Sequence, residues 1–308
     1  MNIQWKKLGL LYSPSEKNQH PKLLSHAANP LPMLIENDTY RIFFSGRDAN
    51  NRSSVGAVDI DIIQRKVIRE YKEPFFEHGL TNSFYADGVS IGNCYEVNGT
   101  TYMLFMGWQN PKNDHWRGDI GRLIVKQDLS LELDTEYPFL GINTIDPISL
   151  SYPWVIKTAE DVYSMWYGST LSWKTANGEM LHVIQQASSS NGHEWKRLGL
   201  AVPYELGKIQ AFSRPVVLKK PNGDDYEMWF SYRSGDDTTY RIGYAVSSDG
   251  QHWELALDKV GITVSKDGWD SEMIEYPFVF DHKGERYMLY NGNDYGKTGF
   301  GLAVLEEN

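Results

Sequence analysis

Three carboxylates, Asp48, Asp87 and Glu275, stand where short apolar or aromatic runs begin or end, and so do three arginines, Arg47, Arg214 and Arg233. Two carboxyl groups held about 5 to 9.5 Å apart are what cleavage of a glycosidic bond needs, one as acid and the other as base or nucleophile. Arginine forks recognise carboxylate or phosphate through paired hydrogen bonds. Three of them exceed what a neutral sugar requires, which points to an acidic sugar, a sugar phosphate or a nucleotide sugar. Trp108, Tyr152 and Tyr276 offer faces on which a pyranose can stack, and His26, Asn29, Asn291 and Asn293 offer hydrogen bonds to hydroxyls. Asp87 and Glu275 are the better-placed acid and base pair, with Asp48 the third candidate. Each has a plainer alternative. Asp87, in "YADGV", could bond turn amides, Glu275 could pair with Arg214 or Arg47, and Asp48 could brace Arg47. His26 could be an ordinary packed histidine and Trp108 part of the core.

These residues are scattered along the chain, so the fold must gather them, and an internal repeat shows how. One unit begins with an apolar strand, passes a polar hairpin and continues into an aromatic strand: "PLPMLIENDTYRIFFSG", "VSIGNCYEVNGTTYMLFMGW", "YPWVIKTAEDVYSMWYGS", "RPVVLKKPNGDDYEMWFSY" and "YPFVFDHKGERYMLYNGN". A strand rich in small residues follows each, as in "SVGAVDID" and "YRIGYAVSSDGQHW". Gly, Asn and Asp turns bound these strands, and no helical periodicity of useful length interrupts them. The pattern predicts an all-β chain, a single five-bladed β-propeller domain over residues 1–308. In the third unit "WKRLGLAV" follows the third strand, where an outermost strand belongs; the fifth unit has none. The N-terminal "WKKLGLLY" supplies it, so residues 1–13 are expected to complete the last blade and close the ring. In such a ring the starts of first strands and the ends of second strands share one face, which brings the residues named above to the mouth of the central channel.

The chain of 308 residues carries a net charge of −10 without any Lys/Arg run, which argues against nucleic acid or an anionic membrane as partner. The single cysteine, Cys94, forms no internal disulfide, and neither a signal peptide nor a membrane span is legible, so a cytoplasmic location is expected. The sequons at Asn37, Asn51 and Asn98 read as loop polar residues. "GNDYGKTGFG" from Gly292 falls one residue short of a phosphate loop and leads into a strand rather than a helix. No zinc-ligand spacing and no Gly-x-Ser-x-Gly elbow is present. No cofactor and no metal site are therefore predicted; a channel cation such as calcium stays open, with no ligands assigned.

The "SSDGQHW" and "SSSNGHEW" segments resemble the Ser-x-Asp-Gly-x-x-Trp signature of five-bladed propellers in glycoside hydrolase family 43 and its family 32 relatives. More closely, "HAANPLP", "YRIFFSGRD", "SRPVV", "YRIGYAVSSDG" and "GWDSEMIEYPFVF" are similar to hydrolase-like bacterial propellers, many of them encoded beside genes for surface polysaccharide synthesis. The resemblance covers essentially the whole chain and implies a carbohydrate-active hydrolase. Family 43 carries acids at the inner-strand starts of its first, third and fourth blades. Here those places hold Asn29, Ser151 or Tyr152, and Ser213 or Arg214, and the acids fall in the second and fifth units instead. Two readings follow. One is a glycoside-hydrolase-like enzyme acting on a glycosidic or activated sugar bond in surface polysaccharide metabolism, with a saccharide or sugar-phosphate ligand. The other is a non-catalytic carbohydrate-binding propeller. A scaffold for polysaccharide-synthesis enzymes is a third, weaker idea.

Overall fold

The computed structural model describes residues 3–14, 20–220, 223, 225–235 and 238–306. Residues 1 and 2 of the expected N-terminal strand segment lie outside the described residues. Strand β1 (Gln4–Tyr12) comes first. Four strands, β2 (Ser25–Glu36), β3 (Thr39–Arg47), β4 (Ser53–Asp61) and β5 (Lys66–Glu70), then form an antiparallel meander. The same order recurs in β6 (Gly88–Val97), β7 (Thr100–Gln109), β8 (Arg117–Val125) and β9 (Leu131–Leu133), and in β10 (Ser149–Ala159), β11 (Val162–Ser172), β12 (Leu181–Ser189) and β13 (Lys196–Leu200). It recurs again in β14 (Ala211–Lys219), β15 (Tyr226–Arg233), β16 (Arg241–Ser247) and β17 (Glu254–Leu255). The last meander has three strands, β18 (Glu275–His282), β19 (Glu285–Asn291) and β20 (Phe300–Glu306), and β1 pairs antiparallel with β20, Trp5 opposite Leu305 and Tyr12 opposite Phe300.

Turn chemistry sets these registers. Asn98 and Gly99 both adopt positive φ, as do Lys283 and Gly284, giving two-residue hairpin loops whose twist matches the strands they join. The "WKKLG" and "WKRLG" phrases share a further device: Gly9 and Gly199 have φ of 98° and 99°, and the register shifts beside each. Each glycine thus permits the bulge that bends an outer strand around its sheet. Trp5 is buried edge-on against Trp229 with ring centroids 5.9 Å apart, and Lys7 reaches the buried Asp270 at 2.7 Å, so β1 is held by side chains as well as by its ladder.

The Ser-x-Asp/Asn-Gly segments are the turns between third and fourth strands, and the preceding unit bonds to them. Asn191 Oδ1 accepts from the His193 and Glu194 amides, Asp249 Oδ1 from those of Gln251 and His252, and both glycines sit at φ 71°. The carbonyls of those glycines, Gly192 and Gly250, are bonded by Tyr95 and Gln186 of the preceding units, and Trp253 packs edge-on against Trp166.

Candidate functional site

Each inner strand carries a kink just before the point where its side chains would meet those of the other units. In β2, β10, β14 and β18 the register shifts at an X-Pro step, and the residue before proline adopts positive φ: Asn29 at 56°, Tyr152 at 34°, Arg214 at 46° and Tyr276 at 50°. Proline pushes its predecessor toward extended backbone, and bulky residues at positive φ cost on the order of 1 to 3 kcal/mol each. Four such positions in register show backbone held out of its preferred conformation around one spot. That spot is a cavity of about 440 Å³ lined from all five meanders, a volume suited to a small ligand.

Of the residues predicted from sequence, Asn29, Arg47, Trp108, Tyr152, Arg233 and Tyr276 line this cavity. Arg47 donates to Asn51 Oδ1 at 2.7 Å, a neutral partner on its own hairpin, and Arg233 donates to Glu179 at 2.7 Å. Trp108 is set against Ser53 by its indole N–H (3.1 Å), and Gly88 makes the room: a Cβ there would lie 2.1 Å from Trp108 Nε1. The Tyr152 and Tyr276 hydroxyls meet at 3.3 Å.

The remaining predicted residues, the three carboxylates Asp48, Asp87 and Glu275 among them, are not part of this lining. Arg214 is buried and donates to the carbonyls of Pro30 and Tyr276, tying three units together, and burial pulls its guanidinium down to about 9, still protonated at neutral pH. Asn291 accepts from the Asn29 amide and donates to the Ala27 and Gly299 carbonyls. His26 contacts Ser25 Oγ at 2.8 Å; burial, then Arg47 and Lys297, bring its ring down to about 4, so it is neutral at pH 7. Asn293 accepts from the Glu272 and Met273 amides in a loop. Asp87 accepts from the backbone amide of Asn110, itself a lining residue, at 2.7 Å.

Asp48 spends its oxygens on Arg52 and on the amides of Asn50 and Arg52. Burial opposes its ionisation, but those bonds outweigh burial and hold the carboxyl below its ordinary value. Its arginine partner is thus Arg52, whereas sequence suggested Arg47.

Glu275 is the exceptional group. It occupies the last register position before the bulge, equivalent to Ala28, Ser151 and Ser213, and those three all line the cavity. Its side chain is fully buried, and among the described residues neither carboxyl oxygen has a hydrogen-bond partner. Burial raises its pKa well above the ordinary value despite the opposing pull of Arg47, Arg233 and Arg214. Burial thus favours the neutral form of this carboxyl, the form that is able to donate.

Other lining residues escaped the sequence rule: Asn51, Asn110, Trp116, Met180, Tyr240 and Tyr295. All sit on connections from second to third strands, a class of loop that rule did not include. His182 lies on a third strand; its Nε2 meets Ser151 Oγ at 2.6 Å and its Nδ1 meets Thr170 Oγ1 at 2.7 Å. Burial brings the ring down to about 4, so it is a neutral, fixed part of the wall.

No family model matches the chain. Two Mycobacterium tuberculosis proteins, "Uncharacterized protein MT1551" (strain CDC 1551 / Oshkosh) and "Uncharacterized protein Rv1502" (strain ATCC 25618 / H37Rv), are each 41% identical over 306 residues, 99% of this chain and 100% of theirs. Among solved structures, one named "Glycoside hydrolase" superposes with a TM-score of 0.76 at 13% identity, covering 100% of this chain and 93% of its own. A glycosyl hydrolase from Bacteroides ovatus gives 0.70 at 12%, covering 99% and 94%. The α-L-arabinofuranosidase PaAbf62A of Podospora anserina, in complex with cellotriose, gives 0.70 at 11%, covering 99% and 98%. The likeness to these structures is one of fold, and the chain belongs to the family of the two mycobacterial proteins, built on the propeller fold of glycoside hydrolases.

Proposed function

We propose that the chain is one five-bladed propeller, its ring closed by β1 in the last blade, and that its cavity is the active site of a glycoside-hydrolase-like enzyme. The substrate is a saccharide whose glycosidic or activated bond lies beside an anionic group, an acidic sugar, a sugar phosphate or a nucleotide-linked sugar. The pairing of β1 with β20 supports the closure. The state of Glu275 carries the catalytic reading: a buried, unpartnered carboxyl whose neutral form burial favours, at a register position whose equivalents in three other meanders line the cavity. In this reading Glu275 gives its proton to the departing oxygen, and Asp87 serves as base or nucleophile. Arg47 and Arg233 hold the anionic group while Trp108, Tyr152 and Tyr276 face the ring. Asp48 orients the loop that carries Arg52. A cytoplasmic role on precursors of surface polysaccharide suits a nucleotide-linked substrate.

Exchange of Asp87 for Asn and of Glu275 for Gln should each lower turnover by about a hundredfold or more. Undiminished turnover in both variants would remove the assignment. A non-catalytic sugar-binding propeller is the second reading. It is favoured by the bond that Asp87 accepts from the Asn110 amide and by the absence of acids at Asn29, Tyr152 and Arg214.

A further inference from the structure

Three tryptophans belong to neither hydrophobic cluster of the protein: Trp108, which ends β7 and is held by Ser53, and two on loops, Trp116 and Trp173. Both are half-buried, on the 110–116 and 173–180 connections of neighbouring meanders. Trp116 lines the cavity. Its ring meets Trp173 edge-on with centroids 4.8 Å apart, and the exposed His115 stacks on Trp173 at 4.7 Å and 21°. Behind Trp116 stands His182, 6.3 Å between centroids, itself locked by Ser151 and Thr170.

Large aromatic rings half-exposed on loops are costly to leave in water, and a rigid ring braced from behind is what a stacking contact requires. Packing the core does not account for them. Resting on the reading of the cavity as the substrate site, we infer that Trp116, braced by Trp173 and His182, is the stacking platform for a flat-faced ring of the ligand, a sugar or a nucleobase joined to the anionic group. Asn110, on the same loop and in the same cavity, is placed to meet the polar edge of such a ring.

The test uses full-length Glu275→Gln protein, in which ligand is bound without depending on turnover. Failure of the catalytic reading and failure of this inference are therefore separate results. A panel of hexose 1-phosphates, nucleoside diphosphates and nucleoside diphosphate sugars is titrated by calorimetry and by tryptophan fluorescence. The inference predicts that Trp116→Ala weakens the ligands bound by about 10- to 100-fold, the range expected for a lost stacking contact. Trp116→Phe keeps most of the affinity while altering the fluorescence response, and Trp173→Ala produces a smaller loss. Melting temperatures of the variants identify any that fail for lack of fold, and Trp116→Phe then carries the comparison. Loss in the nucleoside diphosphate arm identifies the ring as a base; loss confined to hexose 1-phosphates identifies it as a sugar. Binding of no panel member, or affinities within twofold in Trp116→Ala, would overturn the inference.

Discussion

Replacing Glu275 by Gln isolates the most unusual ionisable group in the molecule. Burial keeps its carboxyl protonated well above the ordinary pKa of 4.5, while the unfolded chain releases that proton near the ordinary value. Between those two pKa values the folded state binds one more proton than the unfolded state, so stability falls as pH rises. The slope is about 1.4 kcal/mol per pH unit. Above pH 5 the wild-type protein should therefore lose stability that Glu275→Gln does not lose, at that slope for as long as the folded state keeps its proton. For a chain of this length each pH unit of that slope is a relative drop in Tm of roughly 2 °C. Glutamine has the shape of the protonated acid and leaves the same positions unpartnered, so the variant should fold as well as wild type at pH 5 and better at pH 7. Thermal melts of both proteins across pH 5 to 8 provide the assay, and the other titrating groups cancel in the difference. Parallel curves would refute the claim that Glu275 is buried in its neutral form, and with it the role of stored acid.

Arg47→Ala removes a guanidinium whose hydrogen bond goes to a neutral amide. It should weaken anionic ligands by about 10- to 100-fold, as for other bonds to charged groups, and leave neutral sugars nearly unchanged; calorimetry with matched charged and neutral saccharides reads the difference. Trp5→Ala empties a buried site shared with Trp229 and should cost about 3 to 5 kcal/mol in urea unfolding. A cost near zero would mean that β1 contributes little to the ring.

Much of the fold was legible because its rules are local. Asn98–Gly99 and Lys283–Gly284 announce hairpins, aromatic alternation announces strands, and the repeated "WKKLG" and "WKRLG" carry the same glycine bulge. The inner-strand rule found six lining residues because strand ends are visible as changes of composition. Other features depend on distant segments. Trp116 and Tyr295 sit on loops whose path no periodicity encodes. His182 looks like any strand residue until Ser151, from the same meander's inner strand, stands 2.6 Å away. The partner of Asp48 was missed because a hairpin can turn either Arg47 or Arg52 toward it, and the tight Asp48–Arg52 loop selects the latter. Positive φ before proline at Tyr152, Arg214 and Tyr276 runs against local preference, so only the assembled fold explains it.

The most direct test of the account is mass spectrometry of the panel saccharides after incubation with wild-type protein in ¹⁸O-labelled water. The account predicts a new product mass, labelled at the released sugar if the bond is hydrolysed and unlabelled if it is transferred, and its absence with Glu275→Gln and Asp87→Asn. Recovery of every saccharide unchanged, with binding intact, would contradict the enzymatic reading and leave the cavity a receptor.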